Sequence, residues 1–133
     1  MQTVEEALAK LDRSPFRSRF RLREKEIAYI REKGIDTVRS HAEDFVRMKL
    51  ADPAGEKDGK QTPMRGHPVF LAMHATACCC RGCLSRWYRV PPDAALTADQ
   101  QERIVRLLMS WIEREMRRQV RSSEENGNLE SRS

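Results

Sequence analysis

Four cysteines fall within six residues, at Cys78, Cys79, Cys80 and Cys83. Disulfides stabilise by closing long loops, and bridges among these thiols would close almost none. Adjacent thiols of this kind suit a metal ion or a redox role better. Cys80-Arg81-Gly82-Cys83 is a C-x-x-C placed just before apolar residues at helical spacing, so two thiolates can converge on one tetrahedral ion. The first turn of that helix offers unpaired N–H groups that favour the thiolate form. Zinc prefers such sulfur sites and usually takes two further Cys or His ligands. His74 lies six positions before Cys80 and His67 seven before His74, whereas His41 is far upstream. The expected ligand set is Cys80 and Cys83 with His74 and either His67 or Cys79. Cys79 competes with Cys80, because on a helix it shares a face with Cys83 four positions later. Cys78 is the weakest candidate. The plainer alternative is that these cysteines are small core residues. An iron–sulfur cluster fits three adjacent, divergent thiols poorly, and no βαβ pattern supports a thioredoxin-type role.

A second feature is basic. Between Arg13 and Lys25 six basic residues face one acidic residue, Glu24, so the net charge of +5 resides in this segment. Arg17, Arg19, Arg21 and Arg23 alternate with Phe16, Ser18, Phe20 and Leu22, which reads as an extended stretch with a cationic row. Such a row, with aromatics interleaved, is suited to a nucleic-acid phosphate backbone. The competing expectation is a solvated face whose arginines pair with Glu5, Glu6 or the last helix.

Helices must position both features. Thr3 with Glu6 is a capping box opening a helix from Val4 to Asp12. Ser14-Pro15 breaks it. Glu24 to Lys33 forms a second helix ending at Gly34, and Asp36 is the expected N-cap of a third that closes at Asp52-Pro53. A polar stretch from Ala51 to Gly66 reads as a long loop, and Pro68 starts a short apolar helix. A short helix follows the cysteines and stops at Val90-Pro91-Pro92. Thr97 and Gln100 cap the last helix, which carries Ile104, Leu107, Leu108, Trp111, Ile112 and Met116 as one stripe to about Gln119.

The fold expected is a small, mainly α single domain over 1–120, with a Cys/His metal site between short helices and a disordered tail over 121–133. At 133 residues, 39% hydrophobic and 34% charged, a β-sandwich is disfavoured. The longest apolar run, Val69 to Met73, is too short for a bilayer. The acidic opening lacks the apolar core of a signal peptide, so a cytosolic location is expected.

The run from Asp58 through Gly66-His67-Pro68-Val69-Phe70, then His74-Ala75-Thr76-Ala77 and Cys79 to Leu84, resembles a bacterial family of short cytosolic proteins classed as a domain of unknown function. Ser14 to Phe20 and Ile27 to Gly34 are similar to it as well. The resemblance extends to about Ile112 and brings no established activity. In that family's pattern Thr usually stands at the position of Cys78, leaving Cys79, Cys80 and Cys83 as its cysteines. His often stands at the position of Tyr88; if it is a ligand there, this chain needs another fourth donor, and His67 is available.

Three functions are compatible with this reading. One is a zinc-stabilised module binding nucleic acid through Arg17, Arg19, Arg21 and Arg23. Another is a metal-dependent hydrolase of phosphodiester or nucleobase substrates, using the loop Asp58 to Arg65 beside an open metal position. The third is an iron–sulfur or redox protein. Ligand count separates the first two, because structural zinc is closed by four protein ligands and catalytic zinc keeps three.

Overall fold

Thr3 accepts the Glu6 amide on its hydroxyl at 3.1 Å and so opens α1, Val4–Asp12, where its sequence places it. The computed structural model describes residues 2–131, apart from the side chains of Lys57 and of residues beyond Arg118. Helix α2, Glu24–Lys33, and helix α3, Ile35–Leu50, are separated by Gly34 alone. At φ +88° this residue ends one helix and begins the next, a conformation that side chains rarely adopt. Asp36 therefore lies inside the first turn of α3 and is not its cap.

Helices α4 (Pro68–Ala75), α5 (Arg81–Tyr88) and α6 (Ala98–Ser131) complete a small, mainly α single domain, with no strand among the described residues. Pro68 occupies the first turn of α4, where its missing N–H has no consequence. Val69, Leu71, Ala72 and Met73 of α4 are buried, as are Ile104, Leu107, Leu108, Trp111 and Ile112 of α6. Each large side chain among them stabilises the fold by about 1.5–3 kcal/mol. Helix α6 packs on α1, α3 and α4, so α4 is a central helix and its C-terminus delivers the cysteines into the protein's interior. No helix among the described residues is long and apolar enough to cross a membrane.

The extended reading of Phe16 to Arg23 holds only for its second half. Ser14 accepts the Arg17 amide on its side chain at 3.2 Å and the Ser18 amide on its carbonyl at 2.9 Å, which winds Arg17–Arg19 into a 3-10 turn. Local hydroxyl-to-backbone bonding wins there over the alternation of the side chains. The chain extends from Phe20, at φ −72° and ψ 134°. Helix α6 carries helical backbone past the expected end at Gln119 to Ser131. The expected disordered tail over 121–133 concerns side chains outside the description.

Candidate metal centre

The Sγ atoms of Cys79, Cys80 and Cys83 lie within 4.8 Å of one another, and all three residues are buried. Cys79 and Cys83 are 3.6 Å apart at sulfur. Tetrahedral zinc with Zn–S near 2.3 Å separates its sulfurs by roughly 3.8 Å, so Cys79 and Cys83 already stand near ligand spacing, with the Cys80 sulfur within 4.8 Å of both. The structure brings Cys79 and Cys80 together beside Cys83. Cys80 caps α5 with its sulfur on the Cys83 amide at 3.3 Å, and Cys79 approaches from the turn before.

Local backbone chemistry builds this arrangement. Helix α4 ends in a turn closed by the Cys78 amide on the Met73 carbonyl at 2.8 Å, with Ala77 at φ +58°. A left-handed alanine costs about 1–2 kcal/mol, so its surroundings enforce the reversal that brings Cys79 and Cys80 to α5. Arg81, within the C-x-x-C, is buried and donates to the carbonyls of Leu50, Ala51, Pro91 and Ala94 at 2.6–3.4 Å. It ties the start of α5 to the end of α3 and to the loop before α6. The Ala51–Gly66 loop is strapped over the cysteines at two points. Thr62 donates its hydroxyl to the Cys79 carbonyl at 2.7 Å, and Asp58 accepts the Gly82 amide at 2.8 Å. A Cβ on Gly82 would meet Asp58 Oδ2 at 2.6 Å, so glycine is needed within the motif for this approach.

A guanidinium completes the electrostatics. Arg17 donates to Cys83 Sγ at 3.2 Å, to Cys79 Sγ at 3.6 Å and to the His74 carbonyl at 2.7 Å. Arg86 reaches Cys83 Sγ at 3.7 Å. Hydrogen bonding from the Cys79 thiol, then from Cys80 and Arg17, brings the Cys83 pKa down to about 4 against the opposing effect of burial. The same Cys79–Cys83 hydrogen bond, with burial, pushes the Cys79 thiol up. Burial raises Cys80 and takes Cys78 to about 12. Cys78 stands apart, its thiol on the Thr76 carbonyl at 3.5 Å. Tyr88 also donates to the Thr76 carbonyl.

The histidines named from the sequence lie outside the thiol group. His74 is buried, stacked on Phe20 at 5.9 Å, with Nε2 at 3.2 Å from the carbonyls of both Thr62 and Pro63. His67 caps α4, accepting the Val69 amide on Nδ1 at 3.0 Å, and places Nε2 3.0 Å from His41 Nδ1. Sequence proximity suggested His67 as a ligand because nothing in the spacing showed that its ring was needed as a helix cap. The arginine row divides likewise. Arg17 turns inward, Arg21 reaches the buried Glu115 of α6 at 3.8 Å, Arg23 pairs with Glu26 at 3.0 Å, and Arg19 lies over the Phe16 ring. Sequence reasoning gave Arg17 to a nucleic-acid row and set the Asp58 loop beside the metal, but did not foresee the Arg17 contacts with sulfur or the Asp58 bond to the Gly82 amide.

No solved structure matches this chain. A family model described as Domain of unknown function (DUF4186) matches residues 5–113, a span that holds the three converging cysteines, Arg17 and the Asp58 loop, and the chain belongs to that family.

Proposed function

We propose that this domain binds one zinc ion through the thiolates of Cys79, Cys80 and Cys83, and that the ion fastens the end of α4, the start of α5 and the loop above them into one unit. The observation carrying this reading is the convergence of three buried sulfurs within 4.8 Å of one another beside the inward-facing Arg17. Thiolates favour zinc over the hard cations magnesium and calcium. Three thiolates on a divalent ion leave one excess negative charge, and the Arg17 guanidinium supplies its counterpart, as a buried charge requires. Elemental analysis of purified protein tests the proposal. One zinc per chain, with a melting temperature that falls on chelation, is expected. Metal-free protein that melts unchanged in chelator contradicts it.

A second reading has its own observation. The 3.6 Å Cys79–Cys83 pair, with Cys83 the more acidic thiol, supports a redox dithiol. Rapid alkylation of Cys83 in protein as purified would favour it, since a metal-bound thiolate is protected.

The nucleic-acid reading has narrower support than the charge count suggests, because Arg17 is directed to sulfur and Arg21 and Arg23 to carboxylates.

A further inference from the structure

We propose that Asp58 is the fourth ligand of this metal centre and closes it, an inference that rests on the three-cysteine reading above. Asp58 Oδ1 accepts the Gly82 amide at 2.8 Å while Cys80 Sγ accepts the next amide, that of Cys83, at 3.3 Å. Consecutive amides in a first helical turn point out of the same helix end, so acceptors held on them are neighbours. Asp58 is therefore held at the same helix end as Cys80 Sγ, outside the group of three sulfurs that lie within 4.8 Å of one another, and its Oδ2 has no hydrogen-bond partner among the described residues. Gly82 shows that the approach is built in, since any side chain there would occupy the place of the carboxylate.

Charge is compatible with the same assignment. Three thiolates and one carboxylate carry four negative charges, and a divalent ion with Arg17 and Arg86, both on Cys83 Sγ, carries four positive ones. Adding Asp58 together with Arg86 to the three-thiolate site keeps its charge balanced. It also gives the Asp58 loop a role: the strap bonded to Cys79 through Thr62 delivers the last donor, and metal binding holds the loop down. The centre is then structural, because no coordination position is left for substrate.

Asp58→Asn separates ligation from capping, because the amide oxygen still accepts the Gly82 N–H while its donor power toward zinc is lost. With fold checked by circular dichroism, we expect the Zn2+ dissociation constant, measured by chelator competition, to rise by at least about tenfold. Gly82→Ala, which displaces Asp58 without altering it, should weaken binding in the same direction. Co2+-loaded wild-type protein should keep its visible spectrum when azide is added, whereas Asp58→Asn should shift, since its fourth position is open. Wild-type affinity in Asp58→Asn, or an azide shift in the wild type, overturns this inference and leaves the three-cysteine site standing. A wild-type chain that takes up neither Zn2+ nor Co2+ is a different result and overturns the metal reading together with this inference.

Discussion

Two clusters of metal-type donors lie on either side of α4, and they differ in what their lone pairs are doing. Beyond its C-terminus three sulfurs face one another with a guanidinium beside them. At its N-terminus the His67 ring is fully engaged, with Nδ1 on the Val69 amide and Nε2 on His41, whose Nδ1 also lies 3.4 Å from the Tyr29 hydroxyl. Because Nδ1 of His67 accepts, Nε2 carries the proton and donates to His41, so neither His67 nitrogen is free for a metal. Tyr29, Phe45 and Phe70 pack around this pair with ring centroids 4.7–6.4 Å apart. Both clusters are made of residue types that ligate metals. Sulfurs that converge on one another and draw cationic side chains differ from imidazoles whose two nitrogens are taken up by a helix cap and a neighbouring ring.

The largest expected effect tests this contrast directly. Cys83→Ser should lose zinc and destabilise the domain by several kcal/mol, since structural zinc contributes apparent free energies of roughly 10 kcal/mol or more. His67→Asn should keep one zinc per chain, because Asn can still cap α4. Elemental analysis with thermal melts on both variants reads the difference, and zinc loss in His67→Asn would erase the contrast.

Next comes the support of the thiol site. Arg81→Met removes the donor from four carbonyls, all of them in loops or at a helix end. A destabilisation of about 3–5 kcal/mol is expected from leaving buried acceptors unpaired, measured by urea denaturation. A change below 1 kcal/mol would mean that α5 is positioned without this clamp.

The arginine row sharpens the comparison at smaller scale. Arg17→Gln should weaken zinc binding about tenfold, in the range found when an outer-shell partner is removed. Arg19→Gln should leave it unchanged. Equal effects from the two substitutions would show that Arg17 contributes only overall charge.

The smallest effect is a pH dependence on the histidine side. Burial, then the neighbouring His41, lowers the His67 pKa to about 4 from an ordinary 6.5. Between those values the unfolded chain binds the extra proton and the folded one does not. Stability attributable to His67 is therefore complete above about pH 6.5 and falls as the pH drops toward 4. Subtracting the His67→Asn profile from the wild-type profile isolates this component from proton competition at the thiols, which is common to both. A flat difference curve would show that His67 is neutral for reasons unrelated to folding.

Much of the fold was legible because its determinants are local. The Thr3 cap, the Pro68 start, the paired Thr97 and Gln100 bonds at 3.1 and 2.8 Å, and the apolar stripe of α6 each act within a few residues. The convergence of cysteines was partly legible for the same reason. What escaped depends on distant partners. Arg17 finds Cys83 across 66 positions, and Asp58 finds Gly82 across 24. The period-two pattern of Phe16 to Arg23 pointed to an extended stretch, but Ser14 bonding curls its first half and turns one arginine of the row inward. His67 was misread because capping by a histidine ring leaves no spacing signature.

X-ray absorption at the zinc edge tests the central claim most directly, because it counts sulfur and nitrogen around the ion without any substitution. Three sulfurs at about 2.3 Å and one light atom near 2.0 Å, without the multiple scattering of imidazole, are the expected shell. A shell of two sulfurs and two imidazole nitrogens would contradict the account and return His67 and His74 to the metal.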